Sequence, residues 1–111
     1  MSRWILQATK APRTAGSPVT RGPHDASLTF RLSSGAIKTI GRAARADFVV
    51  DRALVSRLHC RLTAGNEKLE VQDLSSTNGT FVNGKRVERA QIASGDRLRV
   101  GRVELKIEKQ A

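Results

Sequence analysis

The chain is expected to fold as an all-β antiparallel sandwich. Three observations point there: apolar residues recur with a period of two, the strand-like runs are about five residues long, and turn chemistry separates them at regular intervals. At 111 residues the chain is the size of one domain and can bury a single core without staples.

In chain order, Trp4-Ile5-Leu6 reads as a short first strand, within about residues 3–8. Residues 9–27 depart from the rhythm: they hold all three prolines and no apolar period, and read as a long loop or a disordered insertion. Residues 28–32 alternate Leu28, Phe30 and Leu32 against Thr29 and Arg31. After a turn at Ser34-Gly35, Ile37–Ile40 and Phe48–Val50 are shorter candidates. Residues 58–62 place Leu58, Cys60 and Leu62 on one face, and residues 68–71 follow a Gly65-Asn66 turn. Residues 97–107 give Leu98 and Val100, then Val103, Leu105 and Ile107, with charges between. The one segment with helical character is residues 87–94, which is short for a helix. No internal repeat and no second domain is visible.

Composition bounds the function. Net charge is +10, with 14 of the 20 cations arginine, so the expected partner is anionic: nucleic acid, an acidic membrane surface or a phosphorylated protein. A basic surface that serves only solubility is the plain alternative. Four aromatic residues, Trp4, Phe30, Phe48 and Phe81, fall mostly in apolar patterns and leave few stacking platforms for single-stranded nucleic acid. No zinc-finger, RNP or basic-region pattern is present. Cys60 is the only cysteine, so neither a disulfide framework nor a cysteine metal set is expected. No apolar run has the length of a membrane span and no signal-peptide h-region opens the chain, so a cytoplasmic protein is expected, or a nuclear one in a eukaryote.

Residues 73–87, DLSSTNGTFVNGKRV, contain Asn-Gly twice. Asn83-Gly84 has strand-like residues on both sides and fits a two-residue hairpin turn. Asn78-Gly79 follows a run of small polar residues that buries nothing but can present hydroxyls, an amide and bare backbone N–H groups. That pair reads as a binding loop or as a plain polar connection. Two further strand ends favour binding: Gly41-Arg42 closes one strand, and Ser56-Arg57 precede another that carries His59. If the three loops meet at one end of the sandwich, they form an anion site with a guanidinium fork, two hydroxyls and free amides. Gly41-Arg42, Ser56-Arg57 and Thr77-Asn78 themselves contain no acidic residue.

Gly41-Arg42, Ser56-Arg57-Leu58-His59, residues 76–84 (STNGTFVNG) and residues 94–101 (SGDRLRVG) resemble in order and spacing the signature of forkhead-associated (FHA) domains, over about residues 28–108. The resemblance implies an eleven-stranded β-sandwich that reads phosphothreonine in partner proteins, a class that recognises phosphorylated motifs with arginine clusters. It implies that Arg42 pairs with the phosphate, that Ser56 and Thr77 donate hydroxyls, and that Arg57 adds its backbone N–H. It further implies that Asn78 grips the peptide main chain and that Asn83 lies beside the peptide as well as in its hairpin. Gly41 and Gly79 are expected to serve the backbone, and His59 to brace the loops from within. Cys60 is expected in the core.

Some family members carry a basic residue two positions before the serine; this chain has Leu54. Arg45, Arg52, Arg86 and Arg89 are expected in solvent, where any of them could meet an acidic residue of the ligand. The expectation is therefore a monomeric, non-enzymatic module without cofactor or metal, whose partners are phosphothreonine proteins. The alternatives are a basic nucleic-acid-binding protein and an FHA scaffold with a degenerate phosphate site. A Ser56/His59/Asp73 hydrolase arrangement can be drawn, but it lacks the strand-turn-helix setting of a nucleophile elbow. Residues 9–27 carry Thr9, Thr14 and Thr20; if Gly41-Arg42 lies at the binding end, the start of the 28–32 strand and with it this segment fall there too, as a passive loop or rim of the site or as a source of a phosphorylated threonine that competes in cis.

Overall fold

In the computed structural model, which describes residues 2–8 and 28–110, eleven strands form two sheets. The strands are β1 (Arg3–Ala8), β2 (Thr29–Ser33), β3 (Ile37–Gly41), β4 (Phe48–Val49), β5 (Cys60–Ala64), β6 (Leu69–Asp73), β7 (Thr80–Val82), β8 (Lys85–Val87), β9 (Arg89–Ile92), β10 (Arg97–Val100) and β11 (Val103–Gln110). One sheet has the order β2-β1-β11-β10-β7-β8 and the other β4-β3-β5-β6-β9. Pairing is antiparallel except for β3 with β4, two residues long and parallel. The chain between those two strands is held along β3 by Asp47, whose carboxylate accepts hydrogen bonds from Thr39 N and Oγ1 at 2.8 and 3.1 Å. Those bonds hold the Asp47 carboxyl below its ordinary value, the Thr39 N–H contributing most.

The period-two pattern becomes the core directly. Trp4, Leu6 and Ala8 of β1, Leu98 and Val100 of β10 and Val103, Leu105 and Ile107 of β11 face Cys60, Leu62 and Ala64 of β5, Leu69 and Val71 of β6 and Ile92 of β9. Removing each large apolar side chain from water stabilises by about 1.5–3 kcal/mol. Trp4 is fully buried, and its Nε1–H donates to Gly65 O at 2.9 Å, so the one polar atom it takes inside is satisfied. Cys60 is enclosed as expected. Burial, then the neighbouring Asp73 charge, pushes its thiol up to about 12 against a hydrogen bond from Thr80.

The sequence expectation differs from the structure at residues 87–94. There β9 pairs antiparallel with β6, Leu69 opposite Ile92 and Val71 opposite Ala90, so sheet pairing overrides a weak local preference for helix. Strand β5 also starts two residues later than the apolar run suggests, which leaves Ser56–His59 free to form a loop.

The strand directions put several chain ends on one side of the sandwich. β3 ends there at Gly41, and β10 turns into β11 at Gly101, which packs against Val55. Ala8 pairs with Leu105, and its N–H donates to Leu28 O at 2.9 Å, so the residues flanking the Pro-rich segment lie on that side too. Residues 9–27, with Thr9, Thr14 and Thr20, lie outside the described residues. No helix of the described residues is long and apolar enough to cross a membrane.

Candidate functional site

Three loops meet at this end of the sandwich, and their backbones bond to one another. Arg42 N donates to Ser56 O at 2.9 Å and Ala43 N to Arg57 O at 3.1 Å. This approach is closed to any side chain at residue 41: a Cβ there would lie 1.9 Å from Arg57 O and 2.9 Å from Leu58 Cα. Gly41 is thus a packing requirement.

The loop after β6 is tied down by Asp73. Its carboxylate accepts from Ser76 Oγ, from Thr80 Oγ1 at 2.7 Å and from Ser76 N at 3.1 Å, while Ser76 Oγ accepts from Gly79 N at 2.9 Å. Partial burial pushes the Asp73 carboxyl up, but the hydrogen bonds from Ser76 and Thr80 outweigh it and hold the group below its ordinary value of 3.8. Ser76 is therefore turned inward and buried, while Thr77 and Asn78 beside it are exposed. The sequence reading missed Asp73, Ser76 and Thr80 as the lock of this loop. The signal was present: Asp followed three residues on by Ser favours a side-chain-to-backbone turn.

His59 braces the loops from below. It is fully buried; its Nδ1 accepts from Ser56 N at 3.0 Å, and its Nε2 lies 2.8 Å from Gly79 O. Ser56 N can only donate and Gly79 O only accept, so the ring proton sits on Nε2. This geometry does not form the hydrolase arrangement. The serine backbone, not its hydroxyl, meets the imidazole, and Asp73 bonds Ser76 and Thr80 instead.

Above this brace lies an open pocket of about 530 Å³, lined by Arg42, Ser56, Thr77, Asn78 and the segment 51–55. The Arg42 stem is fixed by Nε donating to Val55 O at 3.0 Å, and its Nη groups make no other hydrogen bond among the described residues. Ser56 Oγ accepts from Thr77 N at 3.0 Å, which leaves its own proton to donate. Neither the Thr77 hydroxyl nor the Arg57 N–H has a partner among the described residues. Four expected residues thus share one pocket wall, and several fixed donors face a single concavity. That is the donor set a phosphoryl group with three acceptor oxygens would satisfy.

Two expected residues stand apart. Arg57 is exposed and outside the pocket wall. Asn83 lies in the β7–β8 hairpin with φ 52°, and its Oδ1 accepts from Arg97 N at 3.0 Å, so the structure gives it a turn role and does not bring it into the pocket. Conversely, the fold brings in Asp51 and Leu54, which the motifs did not contain. Leu54 is 44% exposed with φ 72°, an unfavourable conformation for a branched side chain, and its carbonyl accepts from Asn78 Nδ2 at 3.1 Å. Asn78 therefore also joins two loops. Asn78→Ala is expected to destabilise the domain by about 0.5–1.5 kcal/mol, readable as a lower midpoint in thermal denaturation.

Comparison with known proteins identifies the family. The FHA domain model matches residues 38–101. The ABC transporter ATP-binding/permease protein Rv1747 of Mycobacterium tuberculosis is 42% identical over 78 residues, covering 70% of this chain and 9% of that protein. The glycogen accumulation regulator GarA of the same organism is 37% identical over 94 residues, covering 85% of this chain and 57% of GarA. The chain thus spans only part of both relatives. A solved structure from an analysis of phosphothreonine-dependent FHA domain interactions superposes with a TM-score of 0.76 at 30% identity, covering 98% of each chain. From the matched family model, the shared architecture and the converging loops, the chain belongs to the FHA domain family.

Proposed function

We propose that this chain is a phosphothreonine-dependent interaction module that binds phosphorylated segments of partner proteins in signalling. The observation that carries the reading is the gathering of Arg42, Ser56, Thr77 and Asn78 on one pocket wall. In this reading Arg42 pairs with the phosphate and Ser56 and Thr77 donate hydroxyls, while Arg57, outside the pocket wall but next to Ser56, offers its backbone N–H at the edge. Asn78 Oδ1, unpartnered among the described residues, accepts from the ligand main chain. Gly41, His59 and Gly79 hold the loops in place, and Asn83 serves its hairpin. The module works as a cytoplasmic monomer without catalysis or cofactor, on substrates of serine/threonine kinases. Its similarity to an FHA domain studied for phosphothreonine-dependent interactions supports the phosphothreonine reading.

Calorimetry with one peptide in phosphorylated and unphosphorylated form tests the proposal: only the phosphorylated copy is expected to bind, and equal affinities would overturn it. A duplex-binding protein would instead lose affinity steeply with salt and ignore phosphorylation. The pH dependence gives a second check. The phosphate loses its second charge near pH 6, so affinity is expected to fall between about pH 7 and 5. Asp73 leaves that window untouched: its lowered pKa contributes stability above the ordinary value of 3.8, lost only as pH falls through the lower folded value. A flat binding titration across that range would mean the site does not read the dianion.

A further inference from the structure

Arg89, Arg97, Lys106 and Lys109 pair with Glu70, Glu104, Glu108 and Glu67. Arg86 makes no hydrogen bond or ion pair among the described residues, and it is exposed. A Cβ at Gly79 would lie 2.7 Å from Arg86 Nε and 3.0 Å from its Cζ, so the guanidinium lies directly over the bare Gly79 backbone. Phe81, directly opposite Arg86 across the β7–β8 ladder, is covered from its other neighbouring strand by Arg99, whose Cζ stands 4.0 Å from the ring centre. Gly79 thus has a second role besides its φ of 93°: it leaves room for Arg86.

Gly79 adjoins Asn78, which lines the pocket, so Arg86 stands one residue beyond the wall. If the ligand main chain meets Asn78 as proposed and runs on past Gly79, it advances about 3.3 Å per residue, so side chains two or three positions from the phosphothreonine come within reach of Arg86. An exposed guanidinium fork there suits a carboxylate.

We infer that Arg86 is a specificity-determining residue that reads an aspartate or glutamate flanking the phosphothreonine, on the side of the ligand that crosses Asn78-Gly79. The inference rests on the proposed phosphothreonine reading. It differs from a general attraction to the basic surface because charges beyond a Debye length of about 8 Å at physiological salt are screened. Screening limits the general attraction to nearby positions, and pairing with the guanidinium fork needs direct contact, so the preference is confined to one or two ligand positions.

The experiment is a position scan. A phosphothreonine peptide with alanine flanks is the reference, and single aspartates or lysines are placed at each of four positions on either side. Aspartate is expected to improve binding about three- to fivefold at one or two positions on one side only, the range for exposed charge pairs. Measured against each variant's own affinity for the reference peptide, Arg86→Ala should abolish that preference and Arg86→Glu should turn it into a preference for lysine. A flat scan, a preference unchanged in Arg86→Glu, or an equal loss on every peptide including the reference would each overturn the role. The reference with and without its phosphate separates the two readings. Phosphate dependence with a flat scan removes only the Arg86 inference, whereas loss of phosphate dependence removes both.

Discussion

An Arg42→Ala chain is expected to lose phosphopeptide binding almost entirely, by about 2–5 kcal/mol, because the ligand's charge would be held in the pocket without its ionic partner. Stability should change far less. The side chain is exposed, and its one internal bond runs from Nε to Val55 O, so truncation costs about 1 kcal/mol of folding free energy. Arg42→Lys should recover only part of the affinity, since an ammonium keeps the charge but neither the Nε bond nor the planar fork. Calorimetry with a phosphothreonine peptide, paired with a thermal melt of each variant, measures both quantities. Near-native affinity in Arg42→Ala would remove this residue from the site.

The opposite pattern is expected at His59. Alanine there leaves a cavity and strips partners from Ser56 N and Gly79 O, both fixed by the buried ring. The combined cost is about 3–4 kcal/mol, a large share of the roughly 5–15 kcal/mol that holds a domain folded. A fall in melting midpoint of about 13–17 °C follows. His59→Gln supplies one acceptor and one donor in a smaller volume and should restore part of the loss, which separates hydrogen bonding from cavity formation. A melt of His59→Ala indistinguishable from the unaltered chain would contradict the bracing role.

The contrast between these residues shows what was readable in the sequence. Alternation at Leu98, Val100, Val103, Leu105 and Ile107 translates into buried faces without further information, because a strand has only two sides. Arg42, Ser56, Thr77 and Asn78 could be picked out as polar residues at strand ends, since loops between packed sheets must lie at the surface. Which hydroxyl faces inward could not. Ser76 and Thr77 are neighbours of similar chemistry, and only the Asp73 carboxylate decides that the first is buried and the second presented. The same holds for Asn83. Its turn chemistry was plain, but its side-chain amide is engaged by Arg97 N, a partner 14 residues away. At β9, the residues fit either period over so short a span, and only the neighbouring strand β6 settles the matter.

The bonds that lace the three loops together have a kinetic consequence. Arg42 to Val55, Ser56 to Thr77 and Asn78 to Leu54 are in place before any ligand arrives. Immobilising a side chain at an interface ordinarily costs about 0.5–1.5 kcal/mol, and here much of that ordering is completed during folding. Association then needs no loop closure, and the net charge of +10 draws an anionic segment toward the protein before contact. Encounter becomes fast and weakly dependent on the ligand's sequence. Discrimination between partners is left to the lifetime of the complex, so related phosphopeptides will differ mainly in how quickly they leave.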